Sequence, residues 1–172
     1  MVKVIIIGHS GSGKSTMAKF LGQYYHCNVL HLDKIHFTKN WKERTTEEMN
    51  HDISAFMLQN CWIIEGNYTH CLYEEGLKEA DHIIYFNFNR FNCFYRAFKR
   101  YLKYKGQTRP DMADGCKEKF DFPFIKWILV DGRSKKKLKT YKIALTKYPQ
   151  KTIILKTQKQ SDYYLNSLES SF

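Results

Sequence analysis

Val2-Lys3-Val4-Ile5-Ile6-Ile7 runs without a break into Gly8-His9-Ser10-Gly11-Ser12-Gly13-Lys14-Ser15-Thr16. The first six residues are β-branched, nearly all apolar and too few for a helix, so they predict a buried strand. The next nine fit the pattern G-x-x-x-x-G-K-[ST]. Met17, Phe20, Leu21 and Tyr24 then recur at helical spacing. A polyphosphate needs many backbone N–H donors converging on it, so the loop that holds it must wrap closely. Gly8, Gly11 and Gly13 permit that wrapping, with Ser10, Ser12 and Thr16 completing the loop. The N-terminus of the following helix adds a favourable dipole. In this pattern Lys14 is expected to bridge the β- and γ-phosphates of ATP, and the Ser15 hydroxyl to ligate Mg²⁺. The plainer alternative is a Gly/Ser-rich turn that binds nothing.

Strand and helix patterns then alternate along the chain. Strands are predicted at Cys27–Leu32, Cys61–Glu65, His82–Phe86 and Thr152–Lys156. Helices are predicted from Thr45 or Thr46 to about Asn60, with Glu48 placed for a capping box if Thr45 is the cap. Further helices are expected at 72–79, 91–103, 124–130, 134–148 and 161–168, with Phe91, Phe94, Tyr95, Phe98 and Leu102 facing inward. Residues 34–44 read as a loop carrying Ile35, Phe37 and Trp41. Residues 105–122 read as a loop-rich, lid-like insertion. The expected fold is α/β: one domain over 1–172, three layers (αβα), and a central five-stranded parallel sheet behind the phosphate-binding loop.

The chain has 172 residues, 43% of them hydrophobic and 16% aromatic, which argues against disorder. No apolar run approaches 18 residues, so no membrane span is expected. The N-terminus reads as a strand rather than a signal peptide. Five cysteines, none in C-x-x-C spacing, read as reduced thiols in a cytoplasmic protein. Charge is uneven. Residues 1–86 hold 8 Lys/Arg against 10 Asp/Glu, and residues 87–172 hold 20 against 7. The basic half is expected to face something anionic, nucleotide phosphates or nucleic acid.

In a parallel sheet, ligands bind outside the carboxyl ends of the strands. That rule gathers Asp33, Glu65, Gly66, Asn67 and Tyr68 beside the phosphate-binding loop. Asp33 is a candidate to accept the proton of an attacking hydroxyl or to orient it. Glu65 suits a Mg²⁺-bound water or the acceptor. Gly66 would let a substrate approach the backbone, while Asn67 and Tyr68 offer hydrogen bonding and stacking. Arg96, Arg100 and Arg133 are candidates to stabilise a transferring phosphoryl group. Arg109 lies in the insertion as a further one. Trp41, Trp62 and Trp127 read mainly as core, with Trp41 a candidate to lie near the acceptor.

Several stretches resemble one known group. They are Gly8–Thr16, Leu32–Phe37 with Trp41, Trp62–Tyr68, Arg96 to Arg100, Arg109–Ala113 leading to Cys116–Lys119, Arg133, and Ile153–Lys156. Together they resemble the DNA topology modulation proteins of the flagellar-regulator type, which are similar to adenylate kinases and other small P-loop kinases. The resemblance implies an adenylate-kinase-like fold, ATP and Mg²⁺ binding, and phosphotransfer. Adenylate kinases carry Asp-Gly where this chain has Glu65-Gly66. The leading expectation is a kinase moving the γ-phosphoryl of ATP to a small acceptor: a nucleoside, nucleotide or related metabolite. The alternative is a nucleotide-binding regulator of DNA topology that contacts nucleic acid through its basic C-terminal half.

Overall fold

In the computed structural model, which describes residues 1–170, the chain begins with β1 (Lys3–Gly8) and α1 (Lys14–Tyr24). There follow β2 (Asn28–His31), α2 (Leu32–His36), the two-residue strands β3 (Phe37–Thr38) and β4 (Lys42–Glu43), and α3 (Thr46–Met57). Next come β5 (Trp62–Glu65), α4 (Tyr73–Glu79), β6 (His82–Phe86) and α5 (Arg90–Tyr104). The chain closes with α6 (Phe122–Leu129), α7 (Lys135–Lys147), β7 (Thr152–Leu155) and α8 (Gln158–Glu169). The sheet order is β2-β5-β1-β6-β7, and every pairing in it is parallel. β1 lies at the centre, so the loop that leaves it emerges mid-sheet.

Alternation along β1 builds both halves of the core. Ile5 and Ile7 point to one face, where Met49, Ile53, Leu77 and Tyr141 bring α3, α4 and α7 against the sheet. Val4 and Ile6 point to the other, where Met17, Leu21, Cys93, Ala97 and Ile128 bring α1, α5 and α6. Three layers result, as expected. Thr45 caps α3 with a complete capping box to Glu48, and Asn89, Asp121, Ser134 and Thr157 cap α5 to α8.

Three expectations are corrected. Residues 34–44 are not a plain loop. Leu32 and His36 are both buried four residues apart, so the chain winds into α2 before the β3–β4 hairpin, and Asp33 sits in the first turn of α2. On α5 the aromatic stripe does not face inward: Phe91 is 69%, Tyr95 55% and Leu102 57% exposed, while Cys93 and Ala97 are buried. Small residues are required there because α5 passes directly over the phosphate-binding loop. Phe94, Phe98 and Tyr101 instead surround Phe120 at 5.3 to 5.8 Å between ring centroids. Finally, Cys27 and Cys61 form a disulfide, with Cα atoms 5.4 Å apart. Asn28 is in register with Trp62, so the residues just before β2 and β5 stand side by side. The expectation of five reduced thiols therefore fails for this pair, and with it that support for a cytoplasmic location. Cys71, Cys93 and Cys116 are free and buried. Among the described residues no helix is long and apolar enough to cross a membrane.

The 105–122 segment is anchored rather than detached. Met112, Ala113 and Cys116 form a small core of their own with Phe37 and Trp41 of the hairpin region. Glu118, almost fully buried, takes Arg100 at 2.9 Å and Arg109 at 2.5 Å, and Arg109 also reaches Asp111 at 2.6 Å. Hairpin and insertion thus roof the cleft at the carboxyl ends of the strands.

Candidate active site

The cleft has a volume of about 1560 Å³ and is lined by the phosphate-binding loop, α2, the β3–β4 hairpin, the residues after β5, one face of α5 and the insertion. That exceeds what a single drug-sized ligand needs and leaves room for two substrates.

The loop is shaped by what lies against it. Gly11 has φ +78°, and a Cβ there would stand 2.4 Å from the Cys93 carbonyl oxygen on α5. Gly13 has φ +106°, and its Cβ would stand 2.6 Å from Nη2 of Arg96. Only glycine meets both demands, the left-handed backbone and the close neighbour. The Ser12 hydroxyl donates to the His9 carbonyl at 2.7 Å, and Lys14 Nζ donates to the same oxygen at 3.2 Å. Ser10 Oγ accepts from the Trp127 indole at 3.2 Å. Asn67 grips Gly8 at both polar atoms: its Oδ1 accepts from Gly8 N at 3.0 Å, and its Nδ2 donates to Gly8 O. Thr16 lines the cleft one residue beyond Ser15. His9 is buried under the loop, and burial, with Arg133 and Lys14 nearby, pulls its pKa down to about 4.

Glu65, at the end of β5, is 4% exposed and forms the floor. It accepts from Ser15 Oγ at 3.0 Å, meets His31 Nδ1 at 3.1 Å, and stands 3.6 Å from Lys14 Nζ. Burial alone would raise its pKa, but His31, Lys14 and Ser15 together hold the carboxyl below its usual range. His31 had no recognisable ligand spacing in the sequence. Its place follows from the parallel register, which sets His31 beside Glu65. Gly66 continues the β5 pairing by donating its N–H to Ile6 O at 3.2 Å.

Asp33 accepts from the Tyr68 hydroxyl at 2.8 Å, and both line the cleft. Burial, with Asp33 beside it, raises the Tyr68 pKa, so the phenol stays protonated and keeps donating. Arg96 lies beside Gly13 and bonds Gln158 at the start of α8. Arg100 lines the cleft too, but its guanidinium is held by Glu118; burial, reinforced by Arg109, lowers its pKa. Arg133 is not brought to the cleft. Its guanidinium donates to the carbonyls of Phe88 at 2.8 Å and Ile128 at 3.3 Å, bracing the segment behind the loop. The arrangement therefore unites Lys14, Ser15, Asp33, Glu65, Tyr68, Arg96 and Arg100 around one space and leaves Arg133 outside it. Glu118, which orients two arginines, entered the sequence reading only within the Cys116–Lys119 stretch of the resemblance, since a lone Glu in a loop reads as a solvated charge. Trp127 is 37% exposed and touches the loop, so it is less a core residue than its type implied.

A central strand of a parallel sheet that ends in a glycine cradle, with lysine and hydroxyl on the next helix, is the three-layer αβα arrangement expected from the sequence. The chain is similar in structure to a shikimate kinase from Bacteroides thetaiotaomicron, with TM-score 0.50 and 18% identity over 98% of this chain and 96% of that one. It is also similar to a gluconokinase from Sinorhizobium meliloti 1021, with TM-score 0.49 and 12% identity over 91% and 83%. The shikimate kinase shows the shared fold; at these identities no substrate comes with it. No family model and no curated protein matches the chain. The DNA-topology-modulation resemblance therefore rests on its own motifs.

Proposed function

We propose that the protein is an ATP-dependent kinase acting on a small hydroxyl-bearing acceptor. The observation that carries this reading is the convergence of Lys14, Ser15 and Glu65 at the mouth of a glycine cradle, with the Asp33–Tyr68 pair on the same cleft. Room for a triphosphate is supported by Gly11 and Gly13, which line the cleft and carry no side chain into it. Among the described residues no group of three or more His, Cys, Asp or Glu gathers to hold a metal ion. Ser15 and Glu65, bonded to each other at 3.0 Å, are the residues that would hold Mg²⁺, and the ion would supply charge neutralisation for the phosphates.

The chain's own residues have distinct tasks. Lys14 exchanges its bond to the His9 carbonyl for phosphate oxygens. Glu65 keeps Ser15 and Lys14 in place while itself staying ionised. Asp33, steadied by Tyr68, accepts the proton of the acceptor hydroxyl as that oxygen bonds to the γ-phosphorus. The bond from the γ-phosphorus to the β–γ bridging oxygen breaks with its electron pair, and ADP leaves. Arg96 lies where it can meet charge on the moving group, while Arg100, held by Glu118, steadies the wall beside it. Hairpin and insertion lie over the cleft, where shedding water on substrate binding would favour transfer over hydrolysis. The test is acceptor-stimulated ADP release, measured with a coupled assay against ribonucleosides, nucleoside monophosphates and hydroxylated acids such as shikimate. Turnover with at least one is expected; none, from a folded sample that binds ATP, contradicts the reading.

A second reading has one observation behind it. The exposed face of α5 interleaves Phe91, Tyr95 and Leu102 with Lys99 and Lys103, a pattern that suits single-stranded nucleic acid. Such binding would weaken steeply between low and moderate salt, whereas turnover of a small acceptor would change little.

A further inference from the structure

The acceptor half of the cleft, on the Asp33 side of the phosphate-binding loop, is walled by rings. Trp41 and Tyr68 both line it. Phe37 backs Trp41 at 5.1 Å, and His36 backs Tyr68 at 4.4 Å, centroid to centroid. Tyr68 binds Asp33 through its hydroxyl, so the ring wall and the carboxylate belong to one site. Building on the kinase reading above, we propose that the acceptor is an uncharged nucleoside, its base stacked on this wall and a ribose hydroxyl presented to Asp33.

The backbone at Trp41 supports a built platform. Asn40 and Trp41 have φ +63° and +64°, a left-handed conformation that a bulky side chain rarely adopts. The pairing of Phe37 with Glu43 and Thr38 with Lys42 on either side holds it there. Strain of this kind persists where the surroundings over-determine it, and it gathers at ligand clamps.

The charges point the same way. An acceptor bearing a carboxylate or phosphate needs a cation to receive it. Each arginine of this half already has a carboxylate: Arg44 holds Asp52 at 2.7 Å, Arg109 holds Asp111 and Glu118, and Arg100 holds Glu118. Lys119 lies over the Trp41 ring, 4.6 Å from its centroid. Asp33 and Glu43 also line this half, so an anion entering it meets carboxylates, committed arginines and Lys119, which is engaged with the Trp41 ring. Hydroxyls and a planar apolar face meet neither obstacle.

The experiment uses the full chain with MgATP and measures ADP release with each of four ribonucleosides, their 5′-monophosphates, and shikimate. At least one ribonucleoside is expected to stimulate turnover and to quench tryptophan fluorescence. In Trp41→Leu its KM should rise by about tenfold or more, with the KM for ATP within about twofold of the parent. Trp41 also packs on Met112 and Ala113, so Trp41→Phe, which keeps a ring, is the second variant: its nucleoside KM should lie between those of the parent and Trp41→Leu, and the quenching should be lost. Stimulation by monophosphates or shikimate and by no nucleoside overturns the proposal. So does a nucleoside KM unchanged in folded Trp41→Leu together with quenching unchanged in Trp41→Phe. Failure to bind ATP, or ATP binding with no turnover on any acceptor, defeats the kinase reading itself and this proposal with it; turnover on another acceptor with no nucleoside response defeats the nucleoside alone.

Discussion

Gly11 lies where α5 crosses the phosphate-binding loop, and a single methyl group tests that crossing. Its Cβ would meet a backbone carbonyl, which cannot swing aside as a flexible side chain can. Gly11→Ala is expected to cost about 2 kcal/mol or more, from left-handed strain plus displacement of α5, read as a lowered melting temperature. His9, beneath the same loop, makes stability depend on pH. Its folded pKa, about 4, lies below the free value of 6.5, so the folded state binds the proton less readily than the unfolded chain. The stability it contributes is complete above about pH 6.5 and is lost as pH falls toward 4, by up to about 3 kcal/mol. Denaturant titrations across that window should show the decline in the parent and a shallower one in His9→Gln. An equal decline in both would mean that other groups carry the acid sensitivity.

At the scale of the element, the insertion is held by one buried carboxylate. Glu118→Gln leaves Arg100 and Arg109 without their shared partner, at a cost on the order of 3 kcal/mol. Hydrogen exchange should accelerate over residues 105–121 while β1 and β6 stay protected; uniform acceleration would show that the segment is not a separable unit. How legible each element was from sequence follows from where its signal resides. The strands and the capping box at Thr45 were readable because alternation and capping are local. α2 was not, since five residues give too short a pattern for a helical period to register. The outward face of α5 was misjudged because five large apolar residues at helical spacing normally mean core. What overrode that rule was tertiary: the loop under α5 admits only Cys93 and Ala97, and the rings found Phe120 and the cleft instead. The cysteine pair before β2 and β5 was invisible for a related reason, as it depends on strand order rather than spacing.

Across the whole molecule, the parallel sheet converts separate sequence stretches into one site. Gly8–Thr16, Asp33 and Glu65–Tyr68 were legible as candidates because strand ends in such a sheet share one edge. Arg133, a candidate beside Arg96 and Arg100, went elsewhere, to carbonyls behind the loop, since chain position alone does not fix where a long side chain reaches. The central claim is that the cradle binds a triphosphate through Lys14. Isothermal titration of MgATP into the parent protein and into Lys14→Ala tests it most directly. The account predicts saturable binding by the parent and its loss in a variant whose circular dichroism is unchanged. No heat from the parent, or equal affinity in the two, would contradict it.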